Sequence, residues 1–167
     1  MNDHVDFVLE QWAAAMPDVD VSSMAVIGRM IRILKQLEQR REEALEAYGF
    51  KKGDFDVLAS LRRSGAPYRL TPTELYHSLM ITSGAITQRL ARLVDAGLVE
   101  RIPDATDKRS MQVALTVKGK ELIEQAVYTH TDVQNQMLAV LEPAQREQLA
   151  VLMKTVLLAL PGEQAGS

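Results

Sequence analysis

The chain has 167 residues, is 47% hydrophobic and 25% charged, and carries a net charge of −3 with no cysteine. This suits one folded domain, and with aromatic residues at only 5% its core must be aliphatic. A disulfide framework, cysteine metal ligands and a thiol redox switch are excluded. No run of about 18 apolar residues offers a membrane span, and the acidic start MNDHVDFVLEQW does not read as a signal or transit peptide, so a cytoplasmic location is expected.

Val5, Val8, Leu9, Trp12 and Met16 recur at helical spacing until Pro17, predicting a first helix within residues 1–17. Ser22 or Ser23 is a candidate cap for a long second helix over 22–49, with Met24, Ile27, Ile31, Leu34 and Leu37 on one stripe and Gly49 as its stop. Asp54 is the expected N-cap of a third, FDVLASLRR, which runs to the breaker Ser64-Gly65-Ala66-Pro67. A fourth, PTELYHSL, has Thr71 as cap, Pro72 at its first position and Glu74 where it completes a capping box.

The fifth helix, SGAITQRLARLVDAG, begins at Ser83 and stops at Gly97. Leu98 to Ile102 and Met111 to Leu115 read as two strands joined by a charged turn, and Thr116 caps a long sixth helix. Pro143 starts a seventh, with Leu149, Leu152, Met153, Val156, Leu157 and Leu160 on its apolar side, and the tail 161–167 is expected to be flexible. The fold class is thus mainly α with a small β-hairpin (α+β), a single domain over 1–167.

The fourth and fifth helices have the lengths and spacing of a helix-turn-helix. At about 100° per residue, Ile86, Leu90, Leu93 and Gly97 share the core-facing sector of the fifth helix. Gly84, Gln88, Ala91 and Asp95 lie opposite, flanked by Thr87 and Arg92. Such a surface is small enough to enter a major groove, and Gln and Arg can pair with base edges. Ser83, Gly84, Ala85, Thr87, Gln88 and Arg92 are therefore candidate DNA contacts. In the following turn, Lys108 and Arg109 suit the negative potential of the minor groove or the phosphates, while Asp104 and Asp107 suit salt bridges that hold those cations extended.

The stretch LTPTELYHSLMITSGAITQRLARLVDAGLVERIPDATDKRSMQVALTVKG, residues 70–119, resembles the winged helix-turn-helix core of the MarR family of bacterial transcription regulators. The matching features are Asp107-Lys108-Arg109 at the wing tip, the strand entry Gly97-Leu98-Val99, and Leu115-Thr116 with Gly119 after the wing. Ser110 stands where a glycine often follows the arginine in that family. The resemblance implies a DNA-binding region over 54–116, dimerisation helices over 22–49 and 117–160, and a homodimer that reads an inverted repeat in double-stranded DNA. Repression is the family default.

VDFVLEQWAAAMPDVDVSSMAVIGR and GDFDVLASLRR resemble the branch of that family containing urate-responsive regulators, where an extra N-terminal helix packs on the core. By motif position, the resemblance places ligand sensing on Trp12, Asp56, Arg89 and Arg101, with urate or another planar aromatic anion as effector. Arg89 lies about 80° from the apolar centre of its helix and Arg92 about 140°, so Arg89 is the one better aimed at an internal crevice. Packing offers a plainer account of Trp12, helix N-terminal support one of Asp56, and a strand-face charge one of Arg101. His4, His77 and His130 are isolated, and His130 reads as a packed or interface residue.

No enzyme is expected, because H-E-x-x-H, G-x-S-x-G, a phosphate-cradling G-x-x-x-x-G-K and a cysteine nucleophile are all missing. No metal or cofactor is expected either. The competing reading is a winged helix used only for protein-protein contact, which the acidic net charge favours.

Overall fold

The computed structural model describes residues 1–79, 83–103 and 111–161, with Ser83, Gly84 and Ala85 described by their backbone alone. Asp104, Asp107, Lys108 and Arg109, expected to form the wing tip, lie outside the described residues, as does the tail from 162.

Helix α1 (His4–Ala15) opens on a capping box in which the Asp3 carboxylate accepts from Val5 N and Asp6 N and the Asp6 carboxylate accepts from Asp3 N. It lies back on α2 (Ser22–Glu46), with Val5 buried against the bare Cα of Gly28. Arg29 pins the pair by donating to Asp3 at 2.8 Å and Asp6 at 2.5 Å. The expected serine cap of α2 is absent. Val21 is its N-cap, and Asp20 instead accepts from Ser22 N at 2.8 Å.

Helix α3 (Asp54–Arg63) is the centre of the core, with Val57, Leu58 and Leu61 fully buried. Its N-cap is Gly53, at φ +82°, and Asp54 is the first helical residue. The aspartate still caps locally, its carboxylate accepting from Lys51 N at 2.9 Å. Around α3 gather Leu75 from α4 (Pro72–Leu79), Ile86, Leu90 and Leu93 from α5 (Ser83–Asp95), and Ile123 and Ala126 from α6 (Val117–Met137). The apolar sector expected for α5 faces this core, except that Gly97 is exposed beyond the end of the helix.

The sheet has one strand more than the expected hairpin. Strand β1 (Arg69–Leu70) pairs with β3 (Met111–Leu115), which pairs in turn with β2 (Val99–Pro103), all antiparallel in the order β1-β3-β2. Val99 faces Leu115 and Pro103 faces Met111 across the wing, and Leu70 faces Val113. Helix α7 (Pro143–Leu158), opened by a Glu142–Gln145 capping box with Pro143 at its first position, buries none of its side chains. Among the described residues no helix is long and apolar enough to cross a membrane.

Candidate nucleic-acid interface

Helices α4 and α5 are positioned from both ends. Thr71 and Glu74 form the expected capping box at the start of α4, Thr71 N donating to Glu74 Oε2 at 2.7 Å and Glu74 N to Thr71 Oγ1 at 3.2 Å. Past the end of α5, the N-terminus of α6 supplies donors to its carbonyls. Lys118 Nζ donates to Ala96 O at 3.0 Å, Thr116 Oγ1 to Gly97 O at 2.8 Å and Thr116 N to Leu98 O at 3.2 Å. The same Thr116 oxygen accepts from Gly119 N at 3.0 Å, capping α6. Gly119 itself is pressed on the Leu98 carbonyl, so closely that a Cβ there would overlap its oxygen and come within 2.8 Å of its carbon.

With Ile86, Leu90 and Leu93 buried, α5 turns Thr87, Gln88, Ala91 and Asp95 to solvent. That is the narrow polar face expected of a helix entering a major groove. Its two arginines do not divide as the helical wheel suggested. Arg92, expected on the groove side, donates from Nη2 to Asp54 Oδ1 at 2.7 Å, its side chain 38% exposed and that of Asp54 6%. Arg89 is half-buried, its guanidinium lying over Gly53. Both reach one loop, Lys51 to Asp54, because an arginine is long enough to swing its head well away from the angle of its own Cα.

The four residues associated by resemblance with ligand sensing are not gathered at one place in the chain. Asp56 accepts from Arg41 of α2 at 3.1 Å, and Arg89 sits over Gly53. Trp12 is 39% exposed on α1. Because α1 runs back along α2 from the Val5–Gly28 contact, Trp12 lies beyond the far side of that contact from Arg41. Gly28 and Arg41 are themselves separated by about 20 Å of helix. Arg101 lines a cavity of about 410 Å³ between α4, α5 and the sheet, together with Pro72, Thr73, Tyr76, Thr87 and Val113. Thr73 and Tyr76 of that lining carry no signal in the sequence apart from their place in a helix already assigned.

His130 of α6 packs its ring on Phe55 with centroids 4.5 Å apart. Burial, reinforced by the charge of Arg41 and opposed by Asp56, lowers its pKa below the ordinary 6.5. On the opposite flank Arg62 and Lys120 both pair with Glu124, at 2.7 and 3.1 Å, and hold its carboxyl below the usual range. Among the described residues no group of three histidines, aspartates or glutamates is placed to hold a metal ion.

Residues 48–110 match the model of the MarR family. The regulator PecS of Dickeya dadantii is 34% identical over 152 residues, spanning 91% of this chain and 92% of that protein. The chain belongs to the MarR family. It is a DNA-binding transcription regulator and not an enzyme. The MarR protein of Escherichia coli is 38% identical over 100 residues, 59% of this chain and 67% of that one. Among solved structures, a cysteine-to-serine mutant of E. coli MarR complexed with operator DNA superposes with a TM-score of 0.69 at 30% identity, covering 87% of this chain and 97% of that one. Sco3205 of Streptomyces coelicolor, also in complex with DNA, gives 0.76 at 26% identity, covering 89% and 94%. Both DNA complexes extend the likeness through most of the chain, beyond the matched 63-residue segment.

Proposed function

We propose that this MarR-family regulator is a homodimeric repressor that binds an inverted-repeat operator and is released by a small planar anion. The observation that carries the dimer is α7, whose Leu149, Leu152, Met153, Val156 and Leu157 all stand exposed in the single chain. A second apolar surface, a groove of about 520 Å³ between α1 and α2, is lined by Val5, Val8, Leu9, Met24, Ile27 and Ile31. Two unpartnered apolar faces on one chain favour self-association, which buries both. A two-fold dimer then presents two α5 helices to two half-sites about one helical turn apart.

On DNA, the first turns of α5 (Ser83, Gly84, Ala85, Thr87 and Gln88) enter the major groove, and Lys108 and Arg109 of the wing meet the minor groove or its phosphates. Asp104 and Asp107 hold those cations extended. The effector reading rests on the cavity that joins Arg101 to Tyr76 and to Thr87 of α5. A planar anion there would stack on the ring, pair with the guanidinium and press on the recognition helix, giving the differential contact that shifts a two-state equilibrium. Trp12, Asp56 and Arg89 remain candidates for a second contribution to sensing, one that requires the partner chain to bring Trp12 near.

Gel shift against DNA from upstream of the protein's own coding region tests the whole reading. Wild type binds, with affinity falling steeply as salt rises, and Arg109→Ala weakens binding. Urate or salicylate releases the wild type, and Arg101→Ala removes that response while keeping the shift. Release accompanied by a change in Trp12 fluorescence places the effector near α1. Release without it places the effector in the Arg101 cavity, and a failure of either anion to act overturns the effector assignment alone.

A further inference from the structure

We infer that Gly53 and Asp54 are positioning residues for DNA binding, setting through Arg89 and Arg92 the angle at which α5 meets the groove. Both arginines of α5 are committed to this loop. Asp54 is buried, and its two carboxylate oxygens are divided between two tasks, Oδ2 accepting from Lys51 N at 2.9 Å and Oδ1 from Arg92 at 2.7 Å. The loop is thereby locked to itself and to the recognition helix by one carboxylate. Gly53 provides the second point of contact, by packing alone. Its backbone is left-handed at φ +82°, and the space a side chain would fill is occupied by the Arg89 guanidinium, so a Cβ would overlap Cζ and Nη1.

The two arginines are one turn apart on α5, so the Arg92–Asp54 ion pair, with the packing of Arg89 on Gly53 beside it, resists both rotation of the helix about its axis and its lift from α3. The joint with α6 at Ala96 and Gly97 holds only the far end. Removal of either anchor leaves α5 folded, because Ile86, Leu90 and Leu93 stay buried, but free to settle at another pitch. Base contacts from Thr87 and Gln88 depend on that pitch, since paired hydrogen bonds in a groove tolerate little misplacement.

This assignment differs from a direct DNA contact in the sign of one effect. If Arg92 met phosphate itself, Asp54→Asn would free the cation and remove a competing negative charge, and binding would hold or tighten. As a positioning residue, Asp54 is needed in charged form, and Asp54→Asn weakens binding.

The test uses the full-length protein and a duplex selected by the wild type from a random-sequence pool, with affinities measured over a range of salt. Asp54→Asn and Arg92→Gln each weaken binding about tenfold, the scale of one charged hydrogen bond, and the double variant is no weaker than either alone. The salt slope stays at the wild-type value in all three, whereas loss of a phosphate contact lowers it by about one.

Gly53→Ala is compared with Gly65→Ala, which has the same φ of +82° but nothing within 4 Å of its would-be Cβ. Both lose thermal stability through the same backbone strain. Only Gly53→Ala loses DNA affinity. Unchanged or tighter binding by Asp54→Asn, a reduced salt slope in Arg92→Gln, or equal affinities of the two glycine variants each overturns the inference. If Gly53→Ala does not fold, the Asp54 and Arg92 arms decide it alone.

Discussion

Gly119 and His130 show how much a single position can owe to surroundings that its own neighbours in sequence do not reveal. At Gly119 the constraint is steric, because the Leu98 carbonyl occupies the place of a side chain. Gly119→Ala must push α6 off the end of the wing, and a loss of about 2 to 3 kcal/mol is expected in urea unfolding, the cost typical of overpacking a tight site. At His130 the constraint is electrostatic. Burial and Arg41 lower its folded-state pKa below 6.5, so the neutral ring is the form the fold prefers. Its contribution to stability is present above pH 6.5 and is lost as pH falls through the lowered folded value. Melting temperature is expected to drop between pH 7 and pH 5 more steeply in the wild type than in His130→Gln. The helical wheel was sufficient for Ile86, Leu90 and Leu93, whose short side chains stay near the direction of their backbone. It does not give the position of the Arg92 head, because the end of a long side chain goes where a buried carboxylate is, and Asp54 is 38 residues away in sequence.

Elements were legible wherever a local signal decides them. Pro72 and Pro143 stand at the first positions of α4 and α7, the Thr71–Glu74 box closes as its spacing requires, and Thr116 caps α6. Thr116→Ala is expected to cost about 1 kcal/mol as a lost N-cap. It should also loosen the end of α5, seen as faster amide exchange at Ala96 to Leu98, because the same hydroxyl donates to Gly97 O. Strand β1 escaped notice for the opposite reason. Two residues, Arg69 and Leu70, offer no alternation to read, and they become a strand only because Ala114 and Val113 are brought alongside. The starts of α2 and α3 also differ from expectation, with Val21 and Gly53 taking the cap positions where a polar side chain is expected.

For the whole molecule, the exposed apolar side of α7 is the strongest demand for a partner. If the proposed homodimer forms through α7, Leu152→Glu, at a position 57% exposed in the single chain, is expected to leave each chain folded and to give monomer where the wild type sediments as a dimer in analytical ultracentrifugation. Its DNA affinity should fall by at least about a hundredfold, since one half-site forfeits the effective concentration supplied by the other. This chain has no cysteine and so no thiol to oxidise. DNA binding should therefore be indifferent to the thiol oxidant diamide in gel shift.

Helix order and the helix-turn-helix could be read from the sequence, since apolar periodicity and capping residues are local patterns, and the family followed from the resemblance of residues 70–119 to its winged core. The placement of charge could not. That Arg89 and Arg92 both turn to the Lys51–Asp54 loop, that Asp56 takes Arg41, and that Arg101 shares a cavity with Tyr76 were decided by tertiary structure alone. Long side chains choose among partners far apart in the chain, and burial of a carboxylate such as Asp54 makes one of those choices dominate.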